Sequence, residues 1–312
     1  MNIVFFGSGG FALKSLEALV TGAHKVNLVV TQPDKPKGRH LALSSTEVKS
    51  KAEALGLKII QPQNPNSQEA INALKEIPAD LYVVISYGHF LKEPLLRLPK
   101  LYPLNVHASL LPKYRGAAPI NWAIINGERE TGVSIIRMVE AMDAGDILLE
   151  KKIPIDDNDT AVTLEEKLST LAAGALTRAI QLIEKKAEKF IKQDTSAVSF
   201  APKLEKRHGE INWSNGAAEI SRQIKGLTTW PGAYTYYKGK LLKLWSAEAR
   251  KENSKNPGEI LEAGAGRLII GTARGSLEIV ELQLEGGRRL SAAAFLSGHN
   301  LAPGNKFDKA VS

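Results

Sequence analysis

Apolar residues in the first half of the chain come in short unbroken runs, each followed by turn residues and then by an amphipathic stretch. Residues 3–6 predict a buried strand that ends at Gly7-Ser8-Gly9-Gly10, and residues 12–20, with Leu13, Leu16 and Leu19 on one side, predict a helix. Residues 26–31 and 46–54 repeat the pair, and residues 81–85 and 104–107 predict further strands. Strands that are apolar throughout, without alternation, belong to a sheet covered on both faces. Joined by helices through right-handed crossovers, they predict an α/β fold: a doubly wound, mostly parallel sheet of Rossmann-like type. Residues 133–137 and 147–151 predict two shorter strands. Residues 162–184 predict a long helix, opened by a Thr163-x-x-Glu166 capping box.

The pattern changes near residue 190. Residues 190–207 are mostly polar and basic, contain Pro202 and have no clear period, which suits a connection between domains. Beyond it, a helix near 217–225 precedes five short β-like pieces separated by glycines, at 233–237, 241–245, 258–261, 267–271 and 276–282. That spacing predicts a small five-stranded β-barrel of the OB-like type that serves oligonucleotides. The expected division is therefore 1–189, a linker at 190–207, and 208–312.

Composition narrows the class. With 43% apolar and 24% charged residues, the chain is ordinary for a soluble globular protein, so disorder and fibrous architectures are excluded. No run approaches the roughly 18 uncharged apolar residues of a membrane span. The best candidate, 81–91, carries Ser86 and His89. The opening run lacks a cationic lead-in, so no signal peptide is expected, and a cytoplasmic protein is. The absence of cysteine excludes disulfides, a thiolate nucleophile and Cys-ligated metal. Six scattered histidines show no metal-binding spacing, so no metal is expected.

The net charge of +8 is unevenly spread. Residues 1–207 hold 27 Lys/Arg against 23 Asp/Glu, and residues 208–312 hold 14 against 10, so the shorter segment has about twice the charge density. An excess of this kind suits an anionic partner, and it suits a solubilising surface equally.

Three places carry candidate chemistry. Gly7-Ser8-Gly9-Gly10-Phe11-Ala12 satisfies GxGxxA after a first strand, a pattern that cradles a dinucleotide pyrophosphate. The acidic partner expected at the end of the second strand is missing, because Asp34 comes three residues late. A tight turn is the simpler reading. The second place is the run from Asn105 to Gly116. Residues two apart in a strand share a face, so Asn105 and His107 point together into the crevice at the carboxyl end of a parallel strand. An amide and an imidazole there supply an oxyanion donor and a proton carrier. The third is Met142-Asp143-Ala144-Gly145-Asp146, which reads either as a turn or as the source of a carboxylate that orients the histidine. Nothing in the spacing alone joins Asp143 to His107.

These segments resemble one family. Asn105-Val106-His107, the run Ser109-Leu110-Leu111-Pro112-Lys113-Tyr114-Arg115-Gly116 with Ala117-Ala118-Pro119-Ile120, Glu130-Thr131-Gly132-Val133 and the Asp143 turn are similar to the folate-dependent formyltransferases. The likeness extends to Thr31-Gln32-Pro33-Asp34-Lys35-Pro36, Ser86-Tyr87-Gly88, Ala201-Pro202-Lys203-Leu204 and the closing Pro303-Gly304, so it covers almost the whole chain. The resemblance implies transfer of a formyl group from 10-formyltetrahydrofolate to the α-amine of methionine on the initiator tRNA, in translation initiation. It implies catalytic roles for Asn105, His107 and Asp143. It also implies a folate pocket lined by Ser109, Leu110, Leu111 and Pro112, with Ile85, Tyr87 and Gly88 closing over the pterin. The basic loop carrying Lys35, Lys37 and Arg39 would meet the acceptor end of the tRNA, and the C-terminal barrel would hold the tRNA backbone. A monomer that needs neither metal nor membrane is expected.

Two departures stand out. The family more often has Gly-Thr-Pro where Gly7-Ser8-Gly9-Gly10 stands, and Gln-Arg in place of Asn121-Trp122. Other readings remain open. A sugar-nucleotide formyltransferase or a formyltetrahydrofolate hydrolase would share the front half, a nicotinamide-dependent oxidoreductase would use the glycine turn, and a catalytically silent RNA-binding protein would use the barrel alone.

Overall fold

The computed structural model describes residues 1–37, 42–252 and 256–307. The chain forms two compact units. The first contains Met1–Pro119, Glu130–Pro154 and Glu165–Pro202; the second contains Ile120–Arg129, Ile155–Leu164 and the described part of Lys203–Ser312.

A seven-stranded sheet organises the first unit. Its strands are β1 (Asn2–Gly7), β2 (Lys25–Val30), β3 (Ile59–Ile60), β4 (Leu81–Ile85), β5 (Tyr102–His107), β6 (Glu130–Arg137) and β7 (Ile147–Pro154), in the order β7-β6-β5-β4-β1-β2-β3. The five strands from β3 to β5 run parallel, and β6 and β7 continue the sheet antiparallel. The doubly wound, mostly parallel sheet expected from the apolar runs is therefore present. Val4, Phe6, Tyr82 and Val84 share one face because Val4 is in register with Tyr82 and Phe6 with Val84. They are buried there with Leu28, Val30, Leu74 and Leu95. The chain winds outward from β1 to β3, then returns to β4 on the other side. The topological switch therefore lies between β1 and β4, where sheets of this class open a ligand crevice.

The helices follow their local signals. Thr46 caps the helix Glu47–Ala54 through its hydroxyl, which accepts from Lys49 N at 3.1 Å. The long helix, Ala161–Glu184, is capped differently from the sequence expectation. Thr160 is the reciprocal partner: Thr163 N donates to its hydroxyl at 3.3 Å, and Thr160 N donates to Thr163 Oγ1 at 2.9 Å. Thr163 is itself helical, so the box sits three residues earlier than Thr163-x-x-Glu166.

The polar stretch 190–207 stays with the first unit as far as Pro202. Ile191 bridges to Ile147, and Phe200–Ala201 pairs in parallel with Arg115–Gly116. Backbone pairing needs no side-chain period, so such a strand leaves no pattern to read.

The second unit is built on an antiparallel sheet. Its strands are β8 (Ala233–Tyr237), β9 (Lys240–Arg250), β10 (Ile260–Gly264), β11 (Arg267–Gly271), β12 (Ser276–Leu284) and the short β13 (Leu290–Ser291). They run in the order β8-β9-β12-β11-β10, with β13 beside β12. Ala233, Tyr237, Leu242, Leu244, Ile279 and Leu282 face a core that includes Ile220 and Ile224 of the helix Ala217–Gly226. Residues 120–129 and 155–164 pack with this unit: Asn121 Nδ2 donates to Gly226 O at 2.8 Å, and Lys225 Nζ donates to Asp157 O at 2.7 Å. A Cβ at Gly226 would lie 2.6 Å from Ile125 Cγ1, so glycine permits this close approach. Asn121 and Trp122, which depart from the family pattern, belong here, and the Trp122 ring meets the His208 ring edge-on at 5.2 Å.

Candidate active site

Four loops leave the carboxyl ends of parallel strands on one edge of the first sheet: 7–10, 31–35, 86–89 and 108–115. The Asn105 and His107 side chains alternate with Val106 along β5 and lie at this edge, Asn105 in register with Val84 and His107 with Ser134.

Asp143 reaches them from the loop between β6 and β7. Its Oδ1 accepts from Asn105 Nδ2 at 3.2 Å, and its Oδ2 accepts from Gly116 N at 2.9 Å and lies 3.5 Å from His107 Nδ1. The other imidazole nitrogen, Nε2, is 2.9 Å from Tyr114 O. A carbonyl only accepts, so Nε2 carries a hydrogen in this arrangement. The imidazole is buried, with 6% of its side chain exposed against 12% for Asp143, so the pair interacts with little water between.

Backbone conformation contributes to this convergence. Asp143 (φ 49°), Tyr114 (φ 62°) and Ser86 (φ 48°) occupy the left-handed region, which costs a non-glycine residue about 1–3 kcal/mol. At Asp143 the turn is held from outside: Gln193 Nε2 donates to Asp143 O and Gly145 O, both at 2.7 Å. Gln193 Oε1 in turn accepts from Arg115 Nε at 3.1 Å and Nη2 at 2.6 Å. Gly145 is required sterically, because a Cβ there would overlap the carbonyl of Arg137.

The loop 109–112 is fixed by Ser134, a residue that no local sequence pattern marks. Its hydroxyl accepts from Leu111 N at 3.0 Å and donates to Ser109 O at 2.8 Å. Ser109 Oγ donates to Lys113 O at 2.6 Å, and Leu111–Pro112 is a cis peptide. Ser109 and Leu111 are buried, while Leu110 and Pro112 are half-buried.

The other expected pocket residues separate. Tyr87 packs on Phe6 at 5.5 Å, among residues of the Asn105 face, and Gly88 is exposed. Ile85 alternates with Val84, so its side chain is buried on the opposite face and only its backbone reaches the edge. Burial pushes the Tyr87 hydroxyl up to about 12, which keeps it a neutral donor, and that enclosed oxygen has no hydrogen-bond partner among the described residues. Burial, reinforced by the Lys35 charge, pushes the His89 imidazole below its ordinary value.

Of the basic loop, Lys35 is described: its ammonium donates to Gln32 Oε1 at 2.7 Å. The backbone of Lys37 pairs with Ala42, and Arg39 lies outside the described residues. The glycine turn is occupied with its own chain, since Ser8 N and Gly9 N both donate to Ser86 O, at 3.2 and 3.4 Å. Amides so engaged do not cradle a pyrophosphate, which supports the tight-turn reading. Among the described residues, no group of three or more His, Asp or Glu is placed to hold a metal ion, and no helix is long and apolar enough to cross a membrane.

A sequence profile described as formyl transferase matches residues 1–180, and one described as formyl transferase, C-terminal domain, matches residues 203–300. The chain belongs to the formyl transferase family. It is 40% identical over 314 residues to the methionyl-tRNA formyltransferase of Pelotomaculum thermopropionicum, covering the full length of both. It is 43% identical to that of Caldanaerobacter subterraneus, over 97% of this chain and 99% of the relative. Among solved structures it is similar to an N-formyltransferase from Helicobacter canadensis in complex with folinic acid and dTDP-3-aminofucose, with TM-score 0.69 and 20% identity over 92% of this chain and 99% of that one. It is also similar to HypX from Aquifex aeolicus in complex with tetrahydrofolic acid, with TM-score 0.65 and 19% identity over 94% of this chain and 46% of that one. At those identities the structural matches speak for the fold alone.

Proposed function

We propose that the protein transfers the formyl group of 10-formyltetrahydrofolate to the α-amine of methionyl initiator tRNA, as a cytoplasmic monomer without a metal. The observation that carries this reading is the meeting of Asn105, His107 and Asp143 at the carboxyl edge of the sheet, in a chain of this family. The neutral amine attacks the formyl carbon, and the carbonyl oxygen becomes an oxyanion. Asn105 has a second amide hydrogen besides the one given to Asp143, and an oxyanion donor of this kind is worth about 3–4 kcal/mol. His107 takes up the amine proton, stabilises the oxyanion by the charge it then carries, and passes the proton toward the departing N10. Its Nδ1 faces Asp143, so a proton taken up there meets a carboxylate. The loop 109–112 and the turn 86–88 receive the folate.

The second unit supplies the tRNA surface in this reading. Arg207, Arg250, Arg267, Arg274 and Arg289 are each paired with a glutamate, Arg222 with Ile125 O, and Lys225 with Asp157 O. Lys238, Lys240, Lys243 and Arg288 have no carboxylate partner among the described residues. Tyr236, Lys243 and Trp245 alternate with the core-facing residues of β8 and β9, so they line the outer face. Lys243 lies 5.6 Å and Arg289 5.0 Å from the Trp245 ring centroid. Cations beside aromatic faces suit an RNA backbone and its exposed bases. Lys35, Lys37 and Arg39 would meet the acceptor end.

The test is a formyl-transfer assay that offers methionyl initiator tRNA and a UDP-amino sugar in parallel. Formylmethionyl-tRNA is the expected product. Transfer to the sugar amine with none to the tRNA overturns the reading.

A further inference from the structure

We infer that Gln32 is a positioning residue that couples the two substrates, tying the folate-covering turn 86–88 to Lys35 of the basic loop; the inference rests on the assignment of those two loops under the proposed function. Gln32 is the second residue after β2, beside the topological switch, and all four of its polar groups are engaged. Its Nε2 donates to Tyr87 O at 2.8 Å, and its Oε1 accepts from Lys35 Nζ at 2.7 Å. Its backbone N donates to Ser8 Oγ at 3.2 Å, and its backbone O accepts from Gln61 Nε2 at 2.8 Å. Ser8 Oγ donates in turn to Tyr87 O at 3.2 Å, so one carbonyl of the turn receives both side chains.

Gly88 makes room for this contact. It has φ +76°, and a Cβ there would overlap Gln32 Nε2. The amide therefore has one end on each loop. Neither end can move far without releasing a donor or an acceptor at the other. A ligand that orders the turn fixes the Gln32 amide, and a fixed amide holds the Lys35 ammonium. The second ligand then meets a loop whose ordering cost is already met. Such coupling is reciprocal between the two ligands.

The experiment uses the full chain, tetrahydrofolate as the folate probe and uncharged initiator tRNA, so that no turnover intervenes. In the wild type, saturating tRNA tightens tetrahydrofolate binding by about fivefold or more, and tetrahydrofolate tightens tRNA binding by the same factor. Gln32→Ala brings both factors close to one while the melting temperature stays near that of the wild type, a pattern that a loss of general stability does not produce. Gln32→Glu is nearly isosteric, so it serves if the alanine variant fails to fold. It keeps an acceptor for Lys35 but has no N–H for the Tyr87 carbonyl, and it also loses the coupling. Absence of coupling in the wild type, or full coupling in either variant, overturns the inference. If coupling persists in the variants while formyl transfer to tRNA proceeds, only the role of Gln32 fails. If the wild type formylates no tRNA, the proposed function fails with it.

Discussion

At the edge of the first sheet the Asp143 carboxylate accepts from Asn105 Nδ2 and Gly116 N, and each nitrogen of His107 faces an oxygen. In the second unit, Lys238, Lys240 and Lys243 face no carboxylate among the described residues, although five arginines of the same unit are each paired with a glutamate. The first arrangement holds polar groups in one geometry before a substrate arrives, and charge developing there meets fixed dipoles. The second leaves ammonium groups hydrated and adaptable, which suits a polyanion met at many points. Pre-set geometry acts on rate. Adaptable charge acts on affinity.

The largest expected effect breaks the first arrangement. Asn105→Ala and His107→Ala each lower kcat by about 10² or more, with tetrahydrofolate affinity nearly unchanged. Single-turnover formyl transfer beside equilibrium titration of tetrahydrofolate checks this. Wild-type kcat in either variant would remove the residue from the chemistry.

The next effect concerns the second arrangement. Replacing Lys238, Lys240 and Lys243 together by alanine reduces tRNA affinity about tenfold or more at low salt. It also makes the slope of log affinity against log salt shallower, by about one for each phosphate that a lysine no longer neutralises. Folate affinity hardly moves with salt in either protein. A slope unchanged by the triple substitution would put the tRNA on another surface. The arrangements also predict opposite kinetic signatures, since kcat at saturating tRNA is retained in the lysine variant and lost in the histidine variant.

The sequence made the frame of both arrangements readable, because buried parallel strands are apolar throughout and the short strands of the second unit are separated by glycines. Residues 81–85, 233–237 and 267–271 are strands at the predicted bounds. Asn105 and His107 were readable as a pair because strand period puts them on one face. What joins them to Asp143 was not readable. Asp143 arrives through a left-handed residue in a turn, 38 residues after Asn105, held by Gln193 from a stretch with no period. Ser134 and Gln32 escaped for a related reason. Each is one polar residue most of whose partners come from segments distant in sequence, and no local pattern reports such contacts. The glycine turn illustrates the converse: a motif was present, while its amides were already committed to Ser86 O.

The smallest expected effect asks how much of the first arrangement's precision comes from outside the trio. Among the described residues Gln193 makes no hydrogen bond to Asn105, His107 or the Asp143 carboxylate, yet it donates to the carbonyls of Asp143 and Gly145 and is itself held by Arg115. Gln193→Ala releases the turn, and because misplacing a reacting group by about 1 Å costs on the order of 10², a partial release lowers kcat about tenfold. Gln193→Glu separates the two halves of the interaction. It keeps an acceptor for Arg115 but sets a carboxylate against two carbonyl oxygens, so it falls at least as far as the alanine variant. If Gln193→Glu kept wild-type kcat while Gln193→Ala did not, the Arg115 pairing would be what matters and the bonds to the carbonyls would be incidental. If both kept it, Gly116 N and the steric demand at Gly145 would be sufficient to fix Asp143. In every case the salt dependence of tRNA binding stays that of the wild type, because no cation of the second unit has been touched.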